Sequence, residues 1–554
     1  MTGRGMWLAV VACLLPAMAG ARELPQRGPD GRYHMVFGAP VAAAPSGQTI
    51  RYHTVYAAPA TPVRQVTGDI FPSPAVPVPP VPAVVTITGG QLHGSQPGDG
   101  SFAFKGIPFA EPPVGRLRWA PPQDVVPWQG VREALQSAPA CLQNDYGWQT
   151  AMAAASSEDC LYLDVRTPSL TPARPLPVII FFHGGANRAG GAAGTVDAGF
   201  VTKGVVIVSF QYRLGVFGFL SHPALTTEGR GASGNYGLMD QIKALQWVQA
   251  NIARFGGDPY NVTIVGHSAG AQDVGLLLAS PLSRGLFNRA VEESGTPQFG
   301  FAPRTLRQNE AMGVALAAQF SRHAPNSAWA LDDLRHVPAS ELQAVGDKLE
   351  APLEDQSFIW DQAVVDGRVL PRAPEDIFRA GEAAKVPLII GVSARELGLA
   401  DVNADINAAE DRRFGASRHA IDTYYAGAPD PLYGDKATQL STDIMLRCPA
   451  EWVASHMAGP VWLYQLDVDR DGTIHHGSEL NFVMNPRPAG KDDGAWPPLL
   501  DYWTQFAKTG QPAGKGLAAW PEYGAGKRHI EFTPHGAVTG QAWRAPVCGL
   551  LDRP

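Results

Sequence analysis

A short run of β-formers, Val262-Thr263-Ile264-Val265, ends directly on Gly266-His267-Ser268-Ala269-Gly270, and Ala271-Gln-Asp-Val-Gly-Leu-Leu-Leu-Ala279 follows as a plausible helix. A strand that becomes a helix within five residues must pass through a turn so tight that glycine is needed at its flanks, and the apical side chain is pushed outward. Here the apical residue is Ser268. The pentapeptide alone is a weak signal, because glycine-rich turns are common. Its placement between strand and helix makes Ser268 a candidate nucleophile.

Val178-Ile-Ile-Phe-Phe182, Val205-Val-Ile-Val-Ser-Phe210, Pro387-Leu-Ile-Ile390 and Val461-Trp-Leu-Tyr464 read as further strands, apolar on both faces as in a covered parallel sheet. Between the second of these runs and Val262, the residues Leu238, Ile242, Leu245, Val248 and Ile252 recur at helical spacing and predict a helix packed on that sheet. Strand, helix, strand in that order is a parallel crossover. The expected class is α/β, with a central, mostly parallel sheet flanked by helices and large insertions over the site. A chain of 554 residues has room for several domains, yet large α/β enzymes also run as one unit. Residues 84–554 are read here as one domain.

The segment before it divides in two. An apolar run from Met6 to Ala19 follows Arg4 and ends among Ala17, Ala19 and Ala21, which suits a signal peptide over 1–21 cleaved near Ala19 to Ala21. The run is too short to span a bilayer and contains Pro16, so no stable membrane span is expected. Val10-Val-Ala-Cys13 loosely resembles a lipid-attachment box with a very short leader. Residues 22–83 are rich in Pro and Ala, end in Phe71-Pro-Ser-Pro-Ala-Val-Pro-Val-Pro-Pro-Val-Pro82, and are read as a linker of extended geometry. Within them Arg32-Tyr-His-Met-Val-Phe-Gly-Ala-Pro40 is echoed by Arg51-Tyr-His-Thr-Val-Tyr-Ala-Ala-Pro59.

With Cys13 removed in the leader, Cys141, Cys160, Cys448 and Cys548 remain, an even number that suits disulfides in an exported protein, secreted or periplasmic. Three pairings are open. Local spacing favours Cys141 with Cys160, leaving Cys448 with Cys548. Nothing in the spacing of cysteine or histidine suggests a metal, and no cofactor is expected. A net charge of −7 gives no basic footprint for nucleic acid or a lipid surface, which directs attention to a small neutral or cationic substrate.

A serine hydroxyl is a poor nucleophile at neutral pH and needs an imidazole to take its proton and a carboxylate to orient that imidazole. In a strand-turn-helix enzyme of this kind the chain order is serine, acid, histidine. His476, in the turn-rich His475-His476-Gly477-Ser478-Glu479 that follows a strand, is the candidate base, with His475 as a solvated neighbour. Glu396 follows the run Pro387 to Ile390 and so falls at the carboxyl end of a strand, where catalytic groups of open sheets collect. His183-Gly184-Gly185-Ala186 follows another strand and matches a glycine-rich loop that lines one side of an oxyanion hole, with the Ala269 N–H on the other.

Several separate blocks occur in one order: Gly106-Ile-Pro-Phe-Ala-Glu-Pro-Pro-Val-Gly-Arg-Leu-Arg-Trp119, Glu158-Asp-Cys-Leu-Tyr-Leu-Asp-Val165, Asn235-Tyr-Gly-Leu-Met-Asp-Gln241, Phe255 through Gly270, and Tyr502-Trp-Thr-Gln-Phe-Ala-Lys-Thr-Gly510. Together they resemble the type B carboxylesterase family, which includes cholinesterases, fungal lipases and bacterial para-nitrobenzyl esterases, over nearly all of Val84 to Cys548. The resemblance implies an α/β-hydrolase fold and a triad of Ser268, Glu396 and His476. It also implies an oxyanion hole from the N–H groups of Gly185, Ala186 and Ala269, a first disulfide loop at Cys141 and Cys160, and a structural ion pair between Arg118 and Glu158.

Three residues depart from the family pattern: His267 replaces a frequent glutamate, Asn187 replaces the usual aromatic after the oxyanion loop, and Glu293 stands where glutamine is common. Tyr146 and Trp148 lie in a loop that lines the gorge of cholinesterase-like relatives, where an aromatic face attracts cations. The reaction so implied is hydrolysis of a small to medium carboxylic ester through an acyl-enzyme. An amidase or transacylase on the same triad is the alternative, and a non-catalytic recognition protein is a further one. Substrate identity rests on variable loops near 141–159, 297–360 and 399–440. Neither the partner ester nor the oligomeric state is readable.

Overall fold

The computed structural model describes residues 83–297, 303–346, 348–349, 363–396, 415–427 and 429–551. The expected leader at 1–21 and the Pro-rich segment, up to residue 82, lie outside them, as do parts of the variable loops. Ten strands form one sheet: β1 Phe102–Pro108, β2 Tyr162–Thr167, β3 Leu176–Phe182, β4 Val206–Phe210, β5 Gly257–His267, β6 Arg289–Glu293, β7 Leu388–Ser393, β8 Val461–Leu466, β9 Arg528–Thr533 and β10 Gly536–Gln541. Their spatial order is β10-β9-β8-β7-β6-β5-β3-β4-β2-β1. Pairing is parallel from β4 through β9 and antiparallel at both edges.

Apolar runs without alternation form the inner strands because both faces are covered. Along β3, Val178, Ile180 and Phe182 enter one core while Ile179 and Phe181 enter the other. Each such side chain contributes about 1.5–3 kcal/mol relative to exposure. The first core is closed by helix α1, Tyr236–Asn251, and by helix α2, Ala269–Ala279, which present Leu238, Leu245, Val248 and Val274, Leu277 to the sheet. The second is closed by helix α4, Leu499–Thr509, through Trp503 and Phe506; the short helix α3, Ser478–Met484, precedes it.

Strand order decides where chemistry can sit. From β3 the chain moves outward to β4, then crosses back so that β5 pairs with the other side of β3. The carboxyl ends of β3 and β5 therefore diverge over a crevice, the position where open α/β sheets bind ligands. Residues 183–190 leave β3 there, and Ser268 leaves β5.

Cys141 is bonded to Cys160 and Cys448 to Cys548. Arg118 grips Glu158 through two parallel bonds of 2.6 and 2.8 Å and donates to the carbonyls of Leu334 and Val337, tying the first disulfide loop to the helix at Ala328–His336.

Candidate active site

Ser268 is the hinge between β5 and α2, with φ 57° and ψ −125°. A non-glycine residue in this region costs on the order of 1–3 kcal/mol and persists only where its surroundings hold it. Here the Ser268 N–H donates to Glu293 O at 2.9 Å, and Ser268 O accepts from the Gln272 N–H at 2.9 Å. The glycines are required by contact. A Cβ on Gly266 would lie 2.2 Å from Gly270 O, one on Gly270 would lie 2.2 Å from Phe182 O, and one on Gly295 would lie 2.1 Å from Ser268 O.

The loop after β3 lies against this turn. A Cβ on Gly184 would meet His267 O at 2.7 Å and Ser268 Cβ at 3.0 Å. Gly185, Ala186 and Asn187 follow at φ 116°, 55° and 56°. Left-handed alanine costs about 1–2 kcal/mol. The conformation is held by the Tyr212 hydroxyl donating to His183 O at 2.7 Å, by the Gly215 N–H donating to Asn187 O at 2.7 Å, and by Gln143, which both accepts from Gly190 N–H and donates to Gly190 O. Asn187 Nδ2 adds a bond of 3.1 Å to Asp273 Oδ1 on α2. Among the described residues, none accepts a hydrogen bond from the N–H of Gly185, Ala186 or Ala269.

Glu396 and His476 come from the loops after β7 and β8 and meet at the same end of the sheet. His476 Nδ1 donates to Glu396 Oε2 at 2.5 Å. In a neutral imidazole this leaves Nε2 as the proton-accepting nitrogen. The other carboxylate oxygen, Oε1, accepts from the Ser393 N–H at 2.7 Å and from Ser294 Oγ at 2.6 Å, and the Glu396 N–H donates to Thr442 Oγ1 at 3.1 Å. Glu396 is thus fixed at both ends. The His476 ring packs on His267, the residue before Ser268, with centroids 4.8 Å apart.

Residues 81–548 match the family model described as Carboxylesterase family. That span is most of the chain, and it contains the turn, both loops and the Glu396–His476 pair. The chain belongs to the carboxylesterase family. It is a carboxylic-ester hydrolase of the serine type with the α/β-hydrolase fold. It is 36% identical over 405 residues to a fumonisin B1 esterase of Sphingopyxis macrogoltabida, covering 69% of this chain and 71% of that one. With carboxylesterase 1D of Rattus norvegicus it shares 33% identity over 531 residues, 84% of this chain and 92% of the relative. Among solved structures it matches a PNB esterase with a TM-score of 0.71 and 29% identity, over 85% of this chain and all of the other.

Behind the Glu396–His476 pair this carboxylesterase has a second buried acid, Glu479, on the first turn of α3. Its Oε2 accepts from Ser393 Oγ at 2.9 Å and its Oε1 is bonded to Ser294 Oγ. Burial first, and then the charge of Glu396, push the Glu479 carboxyl up to about 7. Glu293, on β6, is likewise pushed well above the usual carboxylate range by burial and by Glu479, and accepts from Trp503 Nε1 at 2.6 Å. Ser294, Ser393 and Glu479 carry no motif of their own and come together only in the fold.

Burial lowers the basicity of two histidines beside the turn, His267 and His183. His267 is buried, and burial together with the neighbouring His476 and His475 holds it well below its usual range. His183 is held at about 4 by burial and stacks on Tyr212 at 4.3 Å. His475, expected as a solvated neighbour, is instead partly buried, with its N–H donating to Ser478 Oγ at 3.0 Å. The Tyr146 ring faces a protein cation, with the Arg188 guanidinium 5.2 Å from its centroid. Trp148 is half-buried. Among the described residues no group of three or more His, Cys, Asp or Glu side chains is arranged to hold a metal ion, and no helix is long and apolar enough to cross a membrane.

Proposed function

We propose that this carboxylesterase cleaves small to medium esters through an acyl-enzyme on Ser268, with His476 as general base and Glu396 as its orienting acid. The observation that carries the assignment is the 2.5 Å bond from His476 Nδ1 to Glu396 Oε2, which fixes the ring tautomer such a base needs. Ser268 Oγ attacks the ester carbonyl carbon while its proton passes to His476 Nε2. The oxyanion accepts hydrogen bonds from the N–H groups of Gly185, Ala186 and Ala269, each such donor supplying about 3–4 kcal/mol of barrier reduction. Collapse breaks the bond to the alcohol oxygen, which leaves with the proton from His476. Water, deprotonated by His476, then attacks the acyl carbon, and the acid departs as Ser268 regains its proton.

An amide would share the first half-reaction, so matched para-nitrophenyl ester and para-nitroanilide substrates separate esterase from amidase. Ser268→Ala is expected to lower ester turnover at least 10⁴-fold with the fold retained; turnover within tenfold of wild type would sink the assignment.

For location, we propose export to an oxidising compartment, secreted or periplasmic, with the leader at 1–21 removed and residues 22–83 acting as a spacer before the catalytic domain. The two disulfides support this reading, because such bonds persist outside reducing cytosol.

A further inference from the structure

A buried polar contact between Asn187 and Asp273 joins the loop that carries Gly185 and Ala186 to the helix that follows Ser268. Asn187 is 1% exposed and Asp273 is fully buried. Asp273 Oδ1 accepts from Asn187 Nδ2 at 3.1 Å, and Oδ2 accepts from Gln241 Nε2 of α1 at 2.5 Å. Among the described residues no cation lies against this carboxyl, and burial raises it to about 7 despite the two amides. An apolar pair would fill the same space without burying a carboxylate. What the polar pair supplies instead is direction, since a hydrogen bond fixes the angle and depth of Asn187 where an apolar contact leaves both looser.

We propose that Asn187 and Asp273 are a positioning pair that sets the oxyanion loop against the helix of Ser268, so that the Gly185 and Ala186 N–H groups keep their place relative to Ser268 Oγ. The proposal rests on the reading of those N–H groups as oxyanion donors. Two adjacent left-handed residues that are not glycine, Ala186 and Asn187, are poised to relax once their anchor is lost. Displacement of the donors on the order of 1 Å costs about 10²-fold in rate while leaving ground-state binding largely intact.

The test exchanges the two groups. At pH 8.5, Asn187→Asp sets two carboxylates against each other and is expected to lower kcat at least tenfold with KM changed less than threefold. In Asn187→Asp/Asp273→Asn, Asn Nδ2 at position 273 donates to the carboxylate at 187 while its Oδ1 still accepts from Gln241, and kcat is expected to return to within about threefold of wild type. Asn187→Ala removes the donor without adding charge and is expected to show the same kcat loss if Asn187→Asp does not fold. A double variant that folds with the melting temperature of wild type but stays as slow as the single one overturns the pairing, as does Asn187→Ala with unchanged kcat. Wild-type turnover of a thionoester, whose sulfur is a weak acceptor, checks the underlying reading separately. Cleavage as fast as the oxygen ester contradicts the oxyanion loop itself, whereas strong discrimination with an indifferent Asn187→Ala contradicts only the pairing.

Discussion

Ser294 has one hydroxyl hydrogen and faces two carboxylates, Glu396 and Glu479. Both contacts are filled at once only when one of the two carboxyls carries a proton, and the rise of the Glu479 carboxyl to about 7 points to Glu479. A protonated Glu479 also spares Glu396 and His476 a second negative charge in a dry pocket. The consequence for stability has a definite sign. A carboxyl raised from its ordinary value of 4.5 to about 7 in the fold stabilises the protein fully below about 4.5, and that contribution is lost as pH rises through 7. The loss amounts to roughly 3 kcal/mol at alkaline pH. Glu479→Gln keeps a donor for Ser294 and an acceptor for Ser393 without titrating. Thermal melts should place this variant above wild type at pH 8.5 and level with or below it at pH 5; a difference that does not change with pH would contradict a protonated Glu479. None of this was legible in the sequence, because Ser294 and Glu479 meet across 185 positions. Glu396 was only half legible: a strand end marked it as possible, and the likeness to a family singled it out.

At the scale of elements, the turn at Ser268 was readable because its constraint is local. Gly266 and Gly270 are dictated by contacts within five residues or with the adjoining strand, and the apolar runs of β3, β4, β5, β7 and β8 need no partner to be recognised. β9 and β10 escaped notice for the opposite reason. Arg528-His-Ile-Glu-Phe-Thr533 mixes charge with apolar residues, as an antiparallel strand near a sheet edge does, and Gly536–Gln541 has almost no apolar signal. The loop between Cys141 and Cys160 shows the limit of reading a residue type without its neighbours. Tyr146 was a candidate face for a cationic substrate, but Arg188 from the loop after β3 sits over that ring. A choline ester and its isosteric 3,3-dimethylbutyl ester should therefore have kcat/KM values within about threefold of each other. A choline preference of tenfold or more would show that the aromatic face remains open to cations.

Across the whole molecule, the two disulfides act over different lengths of chain. Cys141 and Cys160 are 19 positions apart and lock a loop beside the site, whereas Cys448 and Cys548 are 100 apart and fasten the C-terminal helix at Ala545–Leu551 to the helix at Cys448–His456. Loop-closure entropy gives about 3 kcal/mol for the short loop and about 4.7 kcal/mol for the long one. Replacing both cysteines of the long loop by alanine should lower the denaturation midpoint more than the same change in the short loop, with the reverse order contradicting an entropic origin. The sheet connects these scales, because its strand order brings the ends of β3, β5, β7 and β8 to one rim from four distant stretches of sequence. Ser268 as nucleophile is the claim on which the rest depends, and stoichiometric labelling with a fluorophosphonate followed by peptide mass spectrometry tests it most directly. The account predicts one adduct, on Ser268, rising in step with loss of esterase activity; full activity with Ser268 modified, or inactivation with the adduct on another residue, would contradict it.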